Sequence, residues 1–260
     1  MIVSRISVKK FCRDNRLAME HYVLITGASS GMGALCAKQF SSSHKLIMAS
    51  ENLEMLQNVL KECANSEQHI LWQCNFATER ETIMQSLTDL LKRHDAVVDK
   101  YVHFAGLTKL LPLKTFSISN IDLIFNVNFF SILEIMKVLL KKSNAKALNN
   151  VVLISAMISE RGNVGNSIYA ASKGAINSLV YSLARELAPD IRVNALLPGA
   201  IETPMSQNLD VDYVAEMTKD TPLGWGQPQA VVDYVDFLFS DKAKWITGQT
   251  LFVDGGRSTK

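Results

Sequence analysis

His21-Tyr-Val-Leu-Ile-Thr26, continuing directly into Gly27-Ala-Ser-Ser-Gly-Met-Gly33, is the stretch that decides the fold. A short apolar run rich in β-forming residues meets glycines at once, and an apolar-periodic segment follows, so the pattern predicts a strand, a tight turn and a helix. The three glycines allow close backbone approach, and the helix N-terminus favours an anion such as a pyrophosphate. Glycines also mark ordinary turns, but the strand before them and the helix after them favour binding.

The rest of the chain repeats this alternation. Apolar runs predict further strands at 45–49, 69–74, 97–106, 151–155, 191–197 and 250–253, with helical periodicity between most of them. Strands separated by helices form parallel crossovers, so the sequence predicts an α/β fold with a doubly wound parallel sheet of about seven strands. We expect residues 1–20 to be an N-terminal extension and 21–260 to form a single domain.

Composition excludes several classes of protein. Hydrophobic residues make up 48% and charged residues 20% of the chain, and the net charge is only +2, which argues against disorder and against a nucleic-acid partner. The four cysteines show neither a C-x-x-C spacing nor a nearby histidine cluster, so no metal site is predicted. No signal peptide or membrane-length apolar run is found, and we expect a cytoplasmic protein without a membrane partner. The basic N-terminus could form a membrane-surface helix, but a simple extension is favoured.

Tyr169-Ala-Ala-Ser-Lys173 places a phenol and an ammonium four residues apart, on one face of a predicted helix. A nearby cation favours the phenolate and would bring the pKa of Tyr169 down from about 10, which suits proton transfer. Such pairs also arise by chance on solvated helices. Asn128 lies in a long amphipathic segment, 121–142, where a buried amide is either a satisfied core group or a site residue acting with the lysine.

These residues, taken together, resemble the short-chain dehydrogenase/reductase family from about Tyr22 to Gly256. The resemblance is carried, in the family's order and spacing, by the glycine turn, Ala105-Gly106, Asn128, Tyr169 with Lys173, Pro198-Gly199 and the closing Asp254-Gly-Gly256. At a finer level the chain is similar to bacterial 3-oxoacyl-carrier-protein reductases. The resemblance implies a Rossmann-like fold and hydride transfer between a nicotinamide and a carbonyl or carbinol carbon.

The resemblance also implies roles for individual residues. Tyr169 would be the acid/base, Lys173 would lower its pKa and bind the nicotinamide ribose, and Asn128 would support a proton-relaying water. The expected cofactor contacts are Gly27, Ser29, Ser30, Gly31, Met32, Gly33, Ser50, Asn75, Phe76, Ala105, Gly106, Tyr169, Lys173, Pro198, Gly199, Ile201 and Thr203. The expected substrate contacts are Ala156, Ser159, Met205 and Trp225.

The end of the second strand bears on the choice of cofactor. An Asp there would bind a ribose 2′-hydroxyl and repel a 2′-phosphate, but the chain has Ala49 and Ser50, followed by Glu51 instead of a basic residue. NADP and NAD both stay open, and the missing acid favours NADP. Residues 204–226 show no strand pattern. Their composition predicts a mobile lid over a partly apolar substrate.

The family's serine is absent. It would stand thirteen residues before Tyr169, where this chain has Ala156, and loss of such a donor typically costs about 2.7–4 kcal/mol. Ser159 could fold back to replace it, an introduced Ser-to-Ala change could explain it, or a natural protein could have abandoned carbonyl reduction. His103 also departs from the family's asparagine, and we expect it to take a structural hydrogen-bonding role.

Two functions follow. The first is an NAD(P)-dependent carbonyl reductase or alcohol dehydrogenase acting on a small or carrier-protein-bound carbonyl substrate. The second, motivated by Ala156, is a cofactor-binding partner or regulator with little catalysis. The resemblance further suggests a homodimer or homotetramer, built through the helical segments 121–142 and 169–188.

Overall fold

The computed structural model describes residues 19–144, 146–204, 206 and 211–259. Its centre is a seven-stranded parallel sheet in the order β3-β2-β1-β4-β5-β6-β7. The strands are β1 Glu20–Thr26, β2 Lys45–Ser50, β3 Ile70–Gln73, β4 Ala96–His103, β5 Asn150–Ile154, β6 Arg192–Pro198 and β7 Thr250–Val253. The predicted α/β fold with a doubly wound, Rossmann-like sheet is confirmed.

Helices connect the strands. They are α1 Gly31–Phe40, α2 Leu53–Lys61, α3 Ile83–Arg93, α4 Ile118–Phe125, α5 Ser131–Leu139, α6 Ile158–Arg161, α7 Ser167–Glu186, α8 Val211–Lys219 and α9 Pro228–Phe239. None of the described helices is long and apolar enough to cross a membrane. Residues 1–18 of the expected N-terminal extension, and Met205 of the expected substrate contacts, lie outside the described residues.

The sheet is covered on both faces because its strands are apolar on both sides. One face packs against α3, α5 and α7, with Leu87, Ile135 and Val180 fully buried. The other face packs against α1, α2 and α9, with Phe40 and Val235 buried. Burial on both faces leaves the carboxyl ends of the strands as the edge where a ligand can enter.

The segment 121–142, which the periodicity predicts to be amphipathic and helical, is interrupted. A π-helical turn, Asn126–Phe130, separates α4 from α5. Polar Asn128 explains the interruption: its amide bonds the backbone of Leu107, outside the helix, and a wider turn gives it that reach. Such turns are frequent at functional sites.

His103 ties two central strands together at the end of β4. It is fully buried, and its Nδ1 lies 2.8 Å from both the Thr26 hydroxyl of β1 and the Tyr101 hydroxyl. Burial lowers the pKa of His103 to about 3, so the ring stays neutral at physiological pH. The predicted structural hydrogen-bonding role is confirmed.

Candidate active site

A cavity of about 530 Å³ opens at the carboxyl ends of β1, β2 and β4. Most of the predicted cofactor contacts line it. They are Gly27, Ser29, Ser30, Gly31, Met32, Gly33, Ser50, Asn75, Phe76, Ala105, Gly106 and Thr203. We refer to it as the cofactor cavity.

The floor of the cofactor cavity is made of backbone that tolerates no side chain. A Cβ on Gly33 would lie 2.2 Å from the Gly27 carbonyl oxygen, and one on Gly27 would lie 2.7 Å from the Ala105 nitrogen. Gly27 also has φ +68°, in the left-handed region. The glycines are therefore required for the turn, as the sequence predicts.

The N-terminus of α1 faces the same cavity and is open to an anion. Ser30, its N-cap residue, makes no side-chain capping bond, and the first turn carries no acidic residue. Unpaired backbone N–H groups and the helix dipole favour negative charge there. A pyrophosphate fits this end of the cavity.

Polar side chains mark the far end of the cofactor cavity. The Ser50 hydroxyl lies 2.8 Å from that of Ser29, and the exposed Glu51 also lines the wall. No lysine or arginine occurs among the described lining residues. This end can bind hydroxyl groups through hydrogen bonds but offers no cation to a phosphate.

A second cavity, of about 220 Å³, adjoins the first, and we call it the substrate cavity. The two share Met32, Phe104, Gly106 and Thr203 as lining residues. The substrate cavity brings together the remaining predicted residues Ala156, Tyr169, Lys173, Pro198, Gly199, Ile201 and Trp225. Of the predicted site residues that the structure describes, Asn128 and Ser159 line neither cavity.

Tyr169 and Lys173 project from one face of α7 into the substrate cavity. The Lys173 ammonium lies 5.8 Å from the centre of the Tyr169 ring and donates to the Ile154 carbonyl at 2.8 Å. Burial lowers the pKa of Lys173 to about 7 and raises the pKa of Tyr169 to about 12. The expected lowering of the Tyr169 pKa is not seen. Desolvation disfavours the charged phenolate, and it also lowers the fraction of Lys173 that carries a positive charge.

Asn128 is fully buried and its side chain is fully engaged. Its Oδ1 accepts from the Leu107 N–H at 2.7 Å, while Nδ2 donates to the Leu107 carbonyl at 3.0 Å and to the Ser172 hydroxyl at 2.9 Å. The side chain thus fixes the loop after β4 against α7, one residue from Lys173. Its role in a water relay stays a prediction.

The wall opposite Tyr169 lacks a hydroxyl at Ala156, which is buried there. The Ser159 hydroxyl donates to the Ala156 carbonyl at 2.7 Å and accepts from Asn177 at 2.8 Å, and it lies outside the lining of the cavity. The Ser155 hydroxyl donates to the Lys173 carbonyl at 3.0 Å. Neither serine presents a free hydroxyl proton to the cavity in this arrangement, and replacement by Ser159 stays a prediction.

Asn166 is a cavity residue that the sequence analysis missed. It is the N-cap residue of α7, only 8% exposed, and it lines the substrate cavity. Its side chain makes no capping bond. A polar residue three positions before Tyr169, on the same helix face, is the signal that could have revealed it.

Trp225 brings the predicted lid segment to the cavity. It lines the wall together with Met217, and its indole Nε1 is buried without a hydrogen-bond partner among the described residues. An indole N–H donates only, and a buried unpaired donor is unfavourable. Its placement agrees with the predicted substrate contact, whose role stays a prediction.

Comparisons with known proteins agree with this geometry. A family model described as enoyl-(acyl carrier protein) reductase matches residues 27–258. The chain is 30% identical over 236 residues to a 3-oxoacyl-[acyl-carrier-protein] reductase of Thermotoga maritima, covering 90% of this chain and 96% of that protein. It is 33% identical over 242 residues to carbonyl reductase family member 4 of Xenopus laevis, covering 92% and 98%.

A solved structure shows the same fold with a nicotinamide nucleotide bound. The 3-ketoacyl-(acyl-carrier-protein) reductase from Brucella melitensis, complexed with NADH, superposes with a TM-score of 0.82 at 27% identity, covering 92% of this chain and 99% of that chain. Sequence, fold and the two adjoining cavities lead to one conclusion: the chain belongs to the short-chain dehydrogenase/reductase family of oxidoreductases.

Proposed function

We propose that this protein is an NAD(P)-dependent oxidoreductase that reduces a carbonyl group, or oxidises the corresponding secondary alcohol, in the manner of 3-oxoacyl-carrier-protein reductases. The observation that carries the proposal is the meeting of the two cavities. Tyr169 and Lys173 line a cavity that shares four residues with the cradle for a nucleotide. A substrate carbonyl beside Tyr169 therefore lies next to the shared wall, where a nicotinamide would fit.

When bound, the nicotinamide supplies the hydride for reduction or accepts it for oxidation. Tyr169 supplies the proton. Because burial raises the pKa of its hydroxyl to about 12, the phenol is protonated at neutral pH and ready to donate to the substrate oxygen. Oxidation requires the phenolate, so the rate of oxidation should increase as the pH rises toward about 12.

Lys173 restores the proton after each turnover. With a pKa of about 7, its ammonium exchanges a proton readily at neutral pH. The bond to the Ile154 carbonyl holds the amine at the end of β5, on the side of the cavity that Tyr169 faces. Asn128 acts indirectly, by positioning other residues. It fixes the loop after β4 through Leu107 and fixes α7 through Ser172.

Asn166 takes the place of the missing serine. The substrate oxygen gains negative charge as the hydride arrives, and a second donor beside Tyr169 stabilises that charge. Ala156 has no donor, whereas Asn166 is only 8% exposed, lines the cavity and makes no side-chain capping bond, so its amide is available to a substrate. The amide N–H therefore holds the oxygen while the Tyr169 hydroxyl donates to it.

The two nicotinamide cofactors differ at the Ser50 end of the cavity. The missing strand-end acid favours NADP, while the Glu51 carboxylate in the same wall disfavours a 2′-phosphate. Titration of the protein with NADPH and with NADH, followed by the change in nicotinamide fluorescence, measures both dissociation constants.

The substrate is a small or carrier-protein-bound carbonyl compound, consistent with the apolar residues of the cavity wall and with the names of the relatives. We further infer a cytoplasmic homodimer or homotetramer that uses the helical segments 121–142 and 169–188. Tyr181, on the latter segment, is 47% exposed. Light scattering coupled to gel filtration measures the oligomeric state.

The decisive test is Tyr169→Phe. We expect the purified full chain to oxidise NADPH or NADH in the presence of a panel of ketones and 3-oxoacyl thioesters. Tyr169→Phe should lower kcat by about 10²–10⁴-fold, because general acid catalysis is lost. Tyr181→Phe, on the same helix but far from the cavity lining, should leave kcat unchanged.

The alternative is a cofactor-binding partner or regulator with little catalysis, for which Ala156 is the supporting observation. It predicts measurable binding of a nicotinamide nucleotide but no turnover of the panel by the wild-type chain. If introducing serine at position 156 also leaves the chain inactive, the oxidoreductase proposal is wrong.

A further inference from the structure

A cleft of about 380 Å³ lies beside the substrate cavity, on the outer side of α6. Its lining residues are Met157, Ile158, Arg161, Gly162, Asn163 and Arg257. Met157, Ile158 and Asn163 line the substrate cavity as well. A molecule that extends from Tyr169 past these shared residues reaches the two arginines.

Two separate parts of the chain supply the guanidinium groups. Arg161 ends α6, and Arg257 follows the glycine turn after β7. Arg161 donates to the Ser258 carbonyl, and this bond holds the two segments together. The cleft is thus a built junction of the loop after β5 with the turn after β7.

Within the described ranges, the two arginines of the cleft have no acidic partner. Neither arginine forms an ion pair with any described residue, and the Nη1 atom of Arg257 is buried without a hydrogen-bond partner in the same part of the chain. Two neighbouring cations repel each other, and a buried donor without an acceptor is unfavourable.

Two described carboxylates near the cleft, those of Asp254 and Glu160, have other partners and do not balance the charge of the two arginines. Asp254 accepts from the backbone N–H groups of Gly256 at 3.1 Å and Ser258 at 2.7 Å, so it stabilises the turn itself. Glu160 accepts from the Asn177 amide at 2.7 Å. A carboxylate or phosphate from outside would supply the missing negative charge, and the planar guanidinium groups suit the geometry of either anion.

We infer that Arg161 and Arg257 bind a carboxylate or phosphate carried by the carbonyl substrate, whose oxygen lies at Tyr169. The substrate is then an anionic carbonyl compound. The identity of the bound molecule as substrate rests on the proposed function, whereas anion binding at the two arginines does not.

The first measurement is anion binding without catalysis. The full chain is titrated with succinate and with inorganic phosphate at constant ionic strength by isothermal titration calorimetry. We expect wild-type protein to bind at least one of them, with Arg257→Gln and Arg161→Gln each at least about tenfold weaker. Arg93→Gln, on the exposed side of α3, is the matched control and should bind as wild type does. Circular dichroism confirms that each variant is folded, and Arg257→Lys tests whether charge alone suffices.

The second measurement is kinetic and identifies the source of the anion. Acetoacetate is compared with its ethyl ester, and acetoacetyl-4′-phosphopantetheine with the same thioester lacking the phosphate. We expect the arginine variants to raise KM about tenfold or more for one charged member of these pairs, with KM for its neutral counterpart and kcat unchanged. A change confined to the carboxylate pair indicates a free keto acid, and one confined to the phosphate pair indicates a carrier-borne thioester.

The outcomes separate the two proposals. Anion binding that depends on the arginines, in a chain that turns over no ketone even as the Ala156→Ser variant, supports the anion site and overturns the proposed function. Turnover with equal KM values for charged and neutral substrates in wild type and variants overturns the anion site alone. Failure of the wild-type chain to bind either anion, or binding unchanged in both arginine variants, also overturns it.

Discussion

The cofactor cavity and the substrate cavity share four lining residues, but the first is formed mainly by backbone and the second mainly by side chains. Backbone forms the floor of the first: the glycine turn allows no Cβ at Gly33, and the uncapped start of α1 points its N–H groups inward. Side chains form the second, from Tyr169 and Lys173 on α7, Ala156 after β5, and Trp225 in the predicted lid.

This difference explains how far substitutions can change the chemistry of each cavity. A backbone cradle binds a pyrophosphate through N–H groups that every residue has, and only the glycines are fixed by geometry. A cavity made of side chains changes its chemistry with each substitution, as Ala156→Ser would by adding a hydroxyl to the wall. The fold thus holds one nucleotide-binding half constant while the other half accepts new substrates.

After Tyr169→Phe, a large loss of activity is expected from a second change in the side-chain cavity. Asn166→Ala should lower kcat/KM by about 10²–10³-fold, because the amide that we place beside the substrate oxygen is removed. Steady-state kinetics with NADPH or NADH and a ketone substrate measure the loss. Ser167→Ala, at the next and exposed position of α7, should have no effect.

A double-mutant cycle sharpens this test. Ala156→Ser alone should change kcat/KM by less than about tenfold, since a donor is already present, whereas in the Asn166→Ala background it should restore most of the lost activity. If Ala156→Ser raises the activity of the wild-type chain about 10²-fold or more, the Asn166 assignment is wrong and the cavity simply lacks a donor.

The backbone cradle gives the next largest effect. Gly33→Ala places a Cβ 2.2 Å from the Gly27 carbonyl oxygen, and relieving the overlap should cost about 1–3 kcal/mol, or about 10- to 100-fold in nucleotide affinity. Fluorescence titration with NADPH or NADH measures it. Gly174→Ala in α7 is the control, because its nearest neighbour would be 3.9 Å away and no clash results. Equal affinities in the two variants would contradict the rigid cradle.

The contrast between the backbone cavity and the side-chain cavity also shows which parts of the fold and of the site the sequence could predict. Glycines, alternating strands and helices, and the Tyr169–Lys173 spacing predict the sheet, because these patterns follow from backbone geometry, and most of the predicted site residues line the two cavities. The π-helical turn at Asn128 was not predicted, since it depends on a bond to Leu107, far away in sequence. Asn166 was missed because its importance comes from burial and from the absence of a capping bond, neither of which a sequence pattern expresses.

Lys173 lines the substrate cavity, where we propose that it restores the proton of Tyr169, and its buried ammonium should destabilise the fold. Its pKa falls from 10.5 in the unfolded chain to about 7 in the folded protein, because the ammonium is buried. At Lys173 the unfolded chain therefore binds more protons between these two values, and the contribution of this residue to the free energy of unfolding should rise with pH across that window. Below about pH 7 the full cost of burying the charge is present, and above 10.5 it has disappeared.

Lys173→Met removes the charge while keeping a similar length of side chain. Below pH 7 we expect the variant to be more stable than wild type by about 2–4 kcal/mol, after an offset of roughly 1–3 kcal/mol for leaving the Ile154 carbonyl unpaired. That advantage should shrink as the pH rises from 7 to 10.5, while activity is lost at every pH. Urea denaturation of both proteins at several pH values measures the difference in the free energy of unfolding. A difference that does not vary with pH would show that the Lys173 amine is solvated, and the substrate cavity would then be wetter than its buried lining indicates.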